Sequence, residues 1–193
     1  QRQTGRIFKI SFGTPSATGI DLSSLSDQEL VDYQTHANDW YVRHARRNLQ
    51  QRADAGQDMS GVHRGLLKIF AENDGVPRKL RALWALFVTG GTNESFLTQA
   101  LSHESEYVRA WSVRLLTESQ ISPATRQEFA KLAVSDPSPF VRLHLASALQ
   151  RLPLDDRWPI VTGLAGHAED GDDASLPMKN WYGTEPQAGP DGG

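Results

Sequence analysis

The chain has 193 residues, 38 % of them apolar and 22 % charged, with a formal net charge of -3. That length holds one domain with a real core, the low apolar share fits an elongated fold better than a sphere, and the negative balance argues against general polyanion binding. The absence of cysteine excludes structural disulfides, thiolate catalysis and Cys-ligated zinc, and the longest apolar stretch, ALWALFV at 82–88, is far short of the roughly 20 residues of a membrane span.

The first element reads as a strand. In GRIFKISFG, Ile7, Lys9 and Ser11 alternate with Phe8, Ile10 and Phe12 between glycines, a period of two. No later segment offers it a comparable partner. Residues 1–13 are therefore expected to be extended and residues 14–25 to form a linker, with no signal peptide visible and the whole reading like a piece of something longer.

From Leu22 onward the pattern is helical. SDQELVDYQTH opens with Ser26 and, three positions on, Glu29, the spacing of a capping box. NDWYVRHARRNLQQRADAG starts at a plausible cap, Asn38, and stops at Gly56. MSGVHRGLLKIFAEN follows, and then VPRKLRALWALFVTGG, with Pro77 in its first turn and Gly90 and Gly91 at its end. NESFLTQALSH, SEYVRAWSVRLLTES, SPATRQEFAKLAVS, SPFVRLHLASALQRL and PLDDRWPIVTGLAGH bring the expectation to nine helical segments, with a solenoid over 26–183 and a tail over 184–193.

Every second helix carries an apolar residue followed by arginine, with the arginines at Arg43, Arg81, Arg109 and Arg142. Successive spacings are 38, 28 and 33, a mean period of 33, which signals stacked helical hairpins. Ala45, Ala82, Ala110, Ala146 and Ala148 let the helices approach closely. Arginines at a fixed repeat position, with acids such as Asp39 and Asp136 near helix starts, form a candidate inter-repeat ladder.

The runs HESEYVRAWSVRLL and DPSPFVRLHLASALQRL resemble HEAT repeats. Together with GRIFKISFG, VPRKLRALWALFVTGG and HAEDGDDASLPMKNWYG they also look like the middle of a large family of planctomycete and verrucomicrobial membrane-bound or secreted dehydrogenase-like proteins. That resemblance implies an all-α solenoid of about four to five HEAT-like hairpins, following a β-propeller whose last strand would be residues 1–13. It implies a downstream c-type cytochrome domain whose Cys-x-x-Cys-His would carry the haem. This chain has no such motif, so no cofactor is expected in it. The implied partners are the propeller and cytochrome domains, with no nucleic acid and no membrane span, in an extracytoplasmic location. The implied role is a non-catalytic scaffold; the alternative is a stand-alone HEAT-like enzyme or nucleic-acid-binding protein resembling helical-repeat glycosylases.

The remaining chemistry is sparse. His36, His44, His63, His103, His144 and His167 lie on different repeats, and no pair has the i, i+4 spacing of a helical zinc site, so structural or solvated roles are expected. The acidic run HAEDGDD fits a solvated loop better than a calcium site. Trp84 and Trp111 read as core. No catalytic or metal residues are assigned; the candidate partner-binding residues are Arg47, one helical turn beyond Arg43 on a basic face, and Arg46 beside them, with Trp40 and Trp181 near helix ends.

Overall fold

The computed structural model describes Gly13 and residues 20–184. The strand expected at residues 7–12 lies outside the described residues. Ten α-helices follow in chain order: α1 Asp27–Asp32, α2 Asp39–Asp54, α3 Ser60–Glu72, α4 Val76–Val88, α5 Glu94–Ala100, α6 Glu106–Leu116, α7 Pro123–Ser135, α8 Pro139–Ala148, α9 Trp158–Ala165 and α10 Leu176–Thr184. They pair as five hairpins. Within and between hairpins α3 packs on α4, α6 on α8, α7 on α9 and α8 on α10, so the odd-numbered helices form one layer and the even-numbered helices the other. The described residues are an α-solenoid of HEAT-like hairpins.

The local signals act as the residue types require. Ser26 caps α1 and Glu29 bonds back to the Ser26 N–H, closing the reciprocal box. Only six residues of that segment are α-helical; Tyr33–Thr35 tightens to a 3₁₀ turn that buries Gln34. The tenth helix is the one the sequence pattern did not announce. Gly183 allows it: a Cβ there would stand 2.6 Å from the Leu149 side chain, so only glycine lets α10 lie against the end of α8.

The even-numbered helices share a start that the valine–arginine pattern obscures. Two residues before each first turn's cap, a side chain accepts the cap's own N–H: His36 Nδ1 from Asn38 at 3.0 Å, Asn73 Oδ1 from Gly75 at 2.9 Å, His103 Nδ1 from Ser105 at 2.9 Å, Asp136 Oδ1 from Ser138 at 2.9 Å and Asp173 Oδ1 from Ser175 at 2.8 Å. Each such bond satisfies a donor next to the helix entrance and aims the incoming loop. This turn recurs five times, at intervals of 37, 30, 33 and 37 residues, and marks the true register of the repeat.

The core runs continuously between the layers. Leu30, Leu49, Leu66 and Leu86 fill the first two hairpins, and Val108, Phe129, Val141, Leu145, Leu149 and Ile160 fill the later ones. Phe70 and Phe96, with ring centroids 5.5 Å apart, pack against both groups and join them. Ala45, Ala82, Ala110, Ala146 and Ala148 are all buried, each on an even-numbered helix. A side chain larger than a methyl there would separate the helices and open voids.

His103 gives the repeated turn a pH dependence. Its Nδ1 must stay unprotonated to accept from Ser105, and burial, followed by nearby Lys79, pushes its pKa below the ordinary 6.5. With the folded pKa depressed, the unfolded chain binds the proton more readily, so stability falls as pH drops below 6.5. Since Asn73 fills the same place one hairpin earlier, His103→Asn should keep the neutral-pH urea midpoint and show a shallower stability loss between about pH 7 and pH 5. An unchanged pH slope would refute this account.

Candidate functional site

The fixed cation of the repeat sits four residues after the cap in four of the five even-numbered helices of the described residues. In α4, α6, α8 and α10 it is Lys79, Arg109, Arg142 and Lys179. In α2 the same position is the buried Val42, so Arg43 lies one residue beyond it, and Arg81 lies two residues beyond Lys79.

Arg109 bonds Asp136 through two parallel contacts, Nε to Oδ2 at 2.7 Å and Nη2 to Oδ1 at 2.9 Å, and its third nitrogen donates to the carbonyls of His103 and Glu104. Asp136 in turn passes the connection on: its own carbonyl accepts from Arg142 Nη1 at 2.9 Å. Arg142 then grips Asp170 with Nε to Oδ2 at 2.6 Å and Nη2 to Oδ1 at 2.5 Å. Hydrogen bonding to the carboxylate partner raises the pKa of both guanidinium groups above the ordinary arginine value. The Arg142 and Asp136 side chains are only 3 % and 2 % exposed, so these are buried charges held by geometry. Lys79 makes the shorter version of the same contact, donating to the carbonyls of Phe70 and Ala71 at the end of α3.

The acidic run expected as a solvated loop is therefore partly structural. Ala168–Asp172 is a 3₁₀ turn, and it presents Asp170 to Arg142 from a buried position. Spacing alone could not reveal this, because the partner is 28 residues away. Among the described residues, no cluster of His, Cys, Asp or Glu could hold a metal ion, and no helix is long and apolar enough to cross a membrane.

At the other end Asp39 serves two arginines. Arg43 Nε reaches its Oδ2 at 2.6 Å along α2, and Arg81 comes from α4 to its Oδ1 at 3.1 Å while donating to the His36 carbonyl. Arg46 completes a group of three guanidinium ions around one carboxylate. It stacks over the Trp84 ring, 5.4 Å from the centroid, and has no hydrogen bond or ion pair among the described residues. Burial pushes its pKa below the ordinary arginine value, with Asp39 opposing and Arg43 and Arg81 adding to the effect. Trp84 meets Trp111 edge-on at 4.8 Å, and its Nε1 is buried without an acceptor.

These side chains line a cleft of about 450 Å³ between α2, α4 and the start of α6, floored by Val76, Pro77 and Leu80 and flanked by Tyr107. Of the candidate partner-binding residues, only Arg46 lines it. Arg47 is exposed on the next position of α2; Trp40, 54 % exposed, stacks on His44 at 4.0 Å; Trp181, 61 % exposed, is far along the solenoid on α10. The fold does not bring those three together with Arg46. Trp84 and Tyr107 are lining residues that sequence reasoning did not assign to a site; Trp84 packs against the core as expected and lines the cleft as well.

Comparison with known proteins agrees with this architecture. Residues 94–175 match the family model for HEAT repeats, so α5 to the loop before α10 form a HEAT-repeat segment. No curated protein and no solved structure matches the chain.

Breaking one member of the ladder should destabilise the later hairpins far more than removing both. Arg142→Met leaves Asp170 buried without its cation and is expected to cost about 3 kcal/mol in chemical denaturation. Adding Asp170→Leu should recover most of that loss, since removing both charges leaves neither one unpaired. A double variant as unstable as the single one would mean that the pair is not what holds these hairpins.

Proposed function

We propose that this chain is a non-catalytic HEAT-repeat interaction module within a larger, extracytoplasmic, dehydrogenase-like haem protein, where it holds a β-propeller domain against a c-type cytochrome domain. HEAT repeats form a helical scaffold suited to protein interaction, and that much follows from the matched segment and the two-layer solenoid.

The observation that carries the reading is the division of labour among the cations. Arg109 and Arg142 are consumed within the fold, whereas Arg46 lines an open cleft and has no hydrogen-bond acceptor or ion-pair partner among the described residues. A cleft lined by donors on rigid helices, with aromatic and proline side chains beside them, is built for recognition of an acceptor-bearing partner. The parent architecture is supported by the resemblance of GRIFKISFG, VPRKLRALWALFVTGG and HAEDGDDASLPMKNWYG to the dehydrogenase-like family.

The coding sequence on either side of this chain tests the parent assignment. Propeller blades upstream and a Cys-x-x-Cys-His motif downstream are expected, and the absence of both overturns it. Where they are found, the separately produced neighbouring domains should bind this chain in titration calorimetry.

A further inference from the structure

The cleft beside Arg46 does not end at α6. A second, more open cleft of about 660 Å³ continues across the starts of α6 and α8, and Val76 and Tyr107 line both. Glu104 and Glu106 lie along this second part, with Pro137 and Pro139 beyond them. The two parts carry opposite charge. In the first, Arg43 and Arg81 share the single Asp39 carboxylate and Arg46 has none among the described residues, so cations are in excess there. In the second, Arg109 is already committed to Asp136, while Glu104 and Glu106 have no ion pair among the described residues; Glu106 accepts only the Ser138 hydroxyl.

We infer that the joined clefts form one groove for an extended peptide of a partner protein, bearing carboxylates at its α2–α4 end and a lysine or arginine at its α6–α8 end. This rests on the interaction-module reading above and names the chemistry of the partner. A compact anion would satisfy only the arginine end. A polynucleotide, with uniform phosphate charge, would meet repulsion at Glu104 and Glu106. An extended chain fits both halves, because its side chains can differ in sign along its length while Val76, Tyr107 and the prolines pack against its apolar surface. At the arginine end a carboxylate would supply the acceptor that Arg46 lacks among the described residues, and the planar guanidinium stacked on Trp84 is pre-set to offer two parallel donors.

Fluorescence polarisation with short labelled probes tests this on the whole chain. The probes are a peptide with glutamates at one end and lysines at the other, an all-acidic peptide, an all-basic peptide and an oligothymidylate. The mixed-charge peptide should bind tightest. Arg46→Gln should weaken it about tenfold, as expected for losing a charged hydrogen bond. Glu104→Lys should weaken it about threefold and strengthen the all-acidic peptide, the scale of an exposed charge pair. Both variants should melt at the parent temperature, since neither side chain is part of the ladder.

Equal affinity for the mixed and all-acidic peptides, indifference to Arg46→Gln at unchanged melting temperature, or a preference for the oligothymidylate would each overturn the groove. The parent assignment stands or falls separately on the flanking coding sequence. Peptide binding without a propeller or haem motif keeps the groove and removes the parent; the reverse result keeps the parent and removes the groove.

Discussion

A helical hairpin buries one face and leaves its polar loop ends to be matched to the next hairpin, and in the later half of this solenoid that match is made at Asp136. One carboxylate oxygen of Asp136 accepts the Ser138 N–H that starts α8, both oxygens take the Arg109 guanidinium from α6, and the residue's carbonyl accepts from Arg142. α6 and α8 are thus registered on one residue, itself the C-cap of α7 and 3 % exposed. Such a junction contributes little net energy relative to an apolar replacement, but it penalises any slip between hairpins, because a slip leaves a buried charge unpaired. The hydrophobic layer drives stacking; the junction selects its register.

The same repeat position changes character along the chain, and the change has a functional side. From α6 to α8 the cation is arginine and its partner a carboxylate, a closed arrangement with no donor left over. At α4 it is Lys79, which is satisfied by carbonyls of α3, and at α2 it is the apolar Val42. The arginines of the first hairpins therefore fall outside the ladder register, on the surface between α2 and α4, where Asp39 is too few for Arg43, Arg46 and Arg81. A cationic cleft arises where the structural ladder is absent.

Much of this was legible residue by residue. The capping box of Ser26 and Glu29, the helix stops at Gly56 and Gly90, the proline starts and the period in the thirties all depend on neighbours within a turn or two, so spacing carried them. The tripeptides HAN, NDG, HES, DPS and DAS, which open every even-numbered helix, were legible too and mark the repeat better than the valine–arginine pairs do. Their common element is an acceptor side chain two residues before the cap, and His, Asn and Asp share that capacity without looking alike. The short α10 escaped because its two turns carry little periodicity and its place depends on Gly183 meeting Leu149.

By itself, the sequence determined that this protein is a stack of helical hairpins built on small and aliphatic residues, since helix periodicity and local caps need no distant partner. Only the tertiary structure decided which charges are spent and which are free. Asp170 finds Arg142 from 28 residues away, and Trp84 both packs against the core and lines the cleft between α2, α4 and α6. Both outcomes depend on how the hairpins stack, and stacking is a property of surfaces that no linear spacing contains.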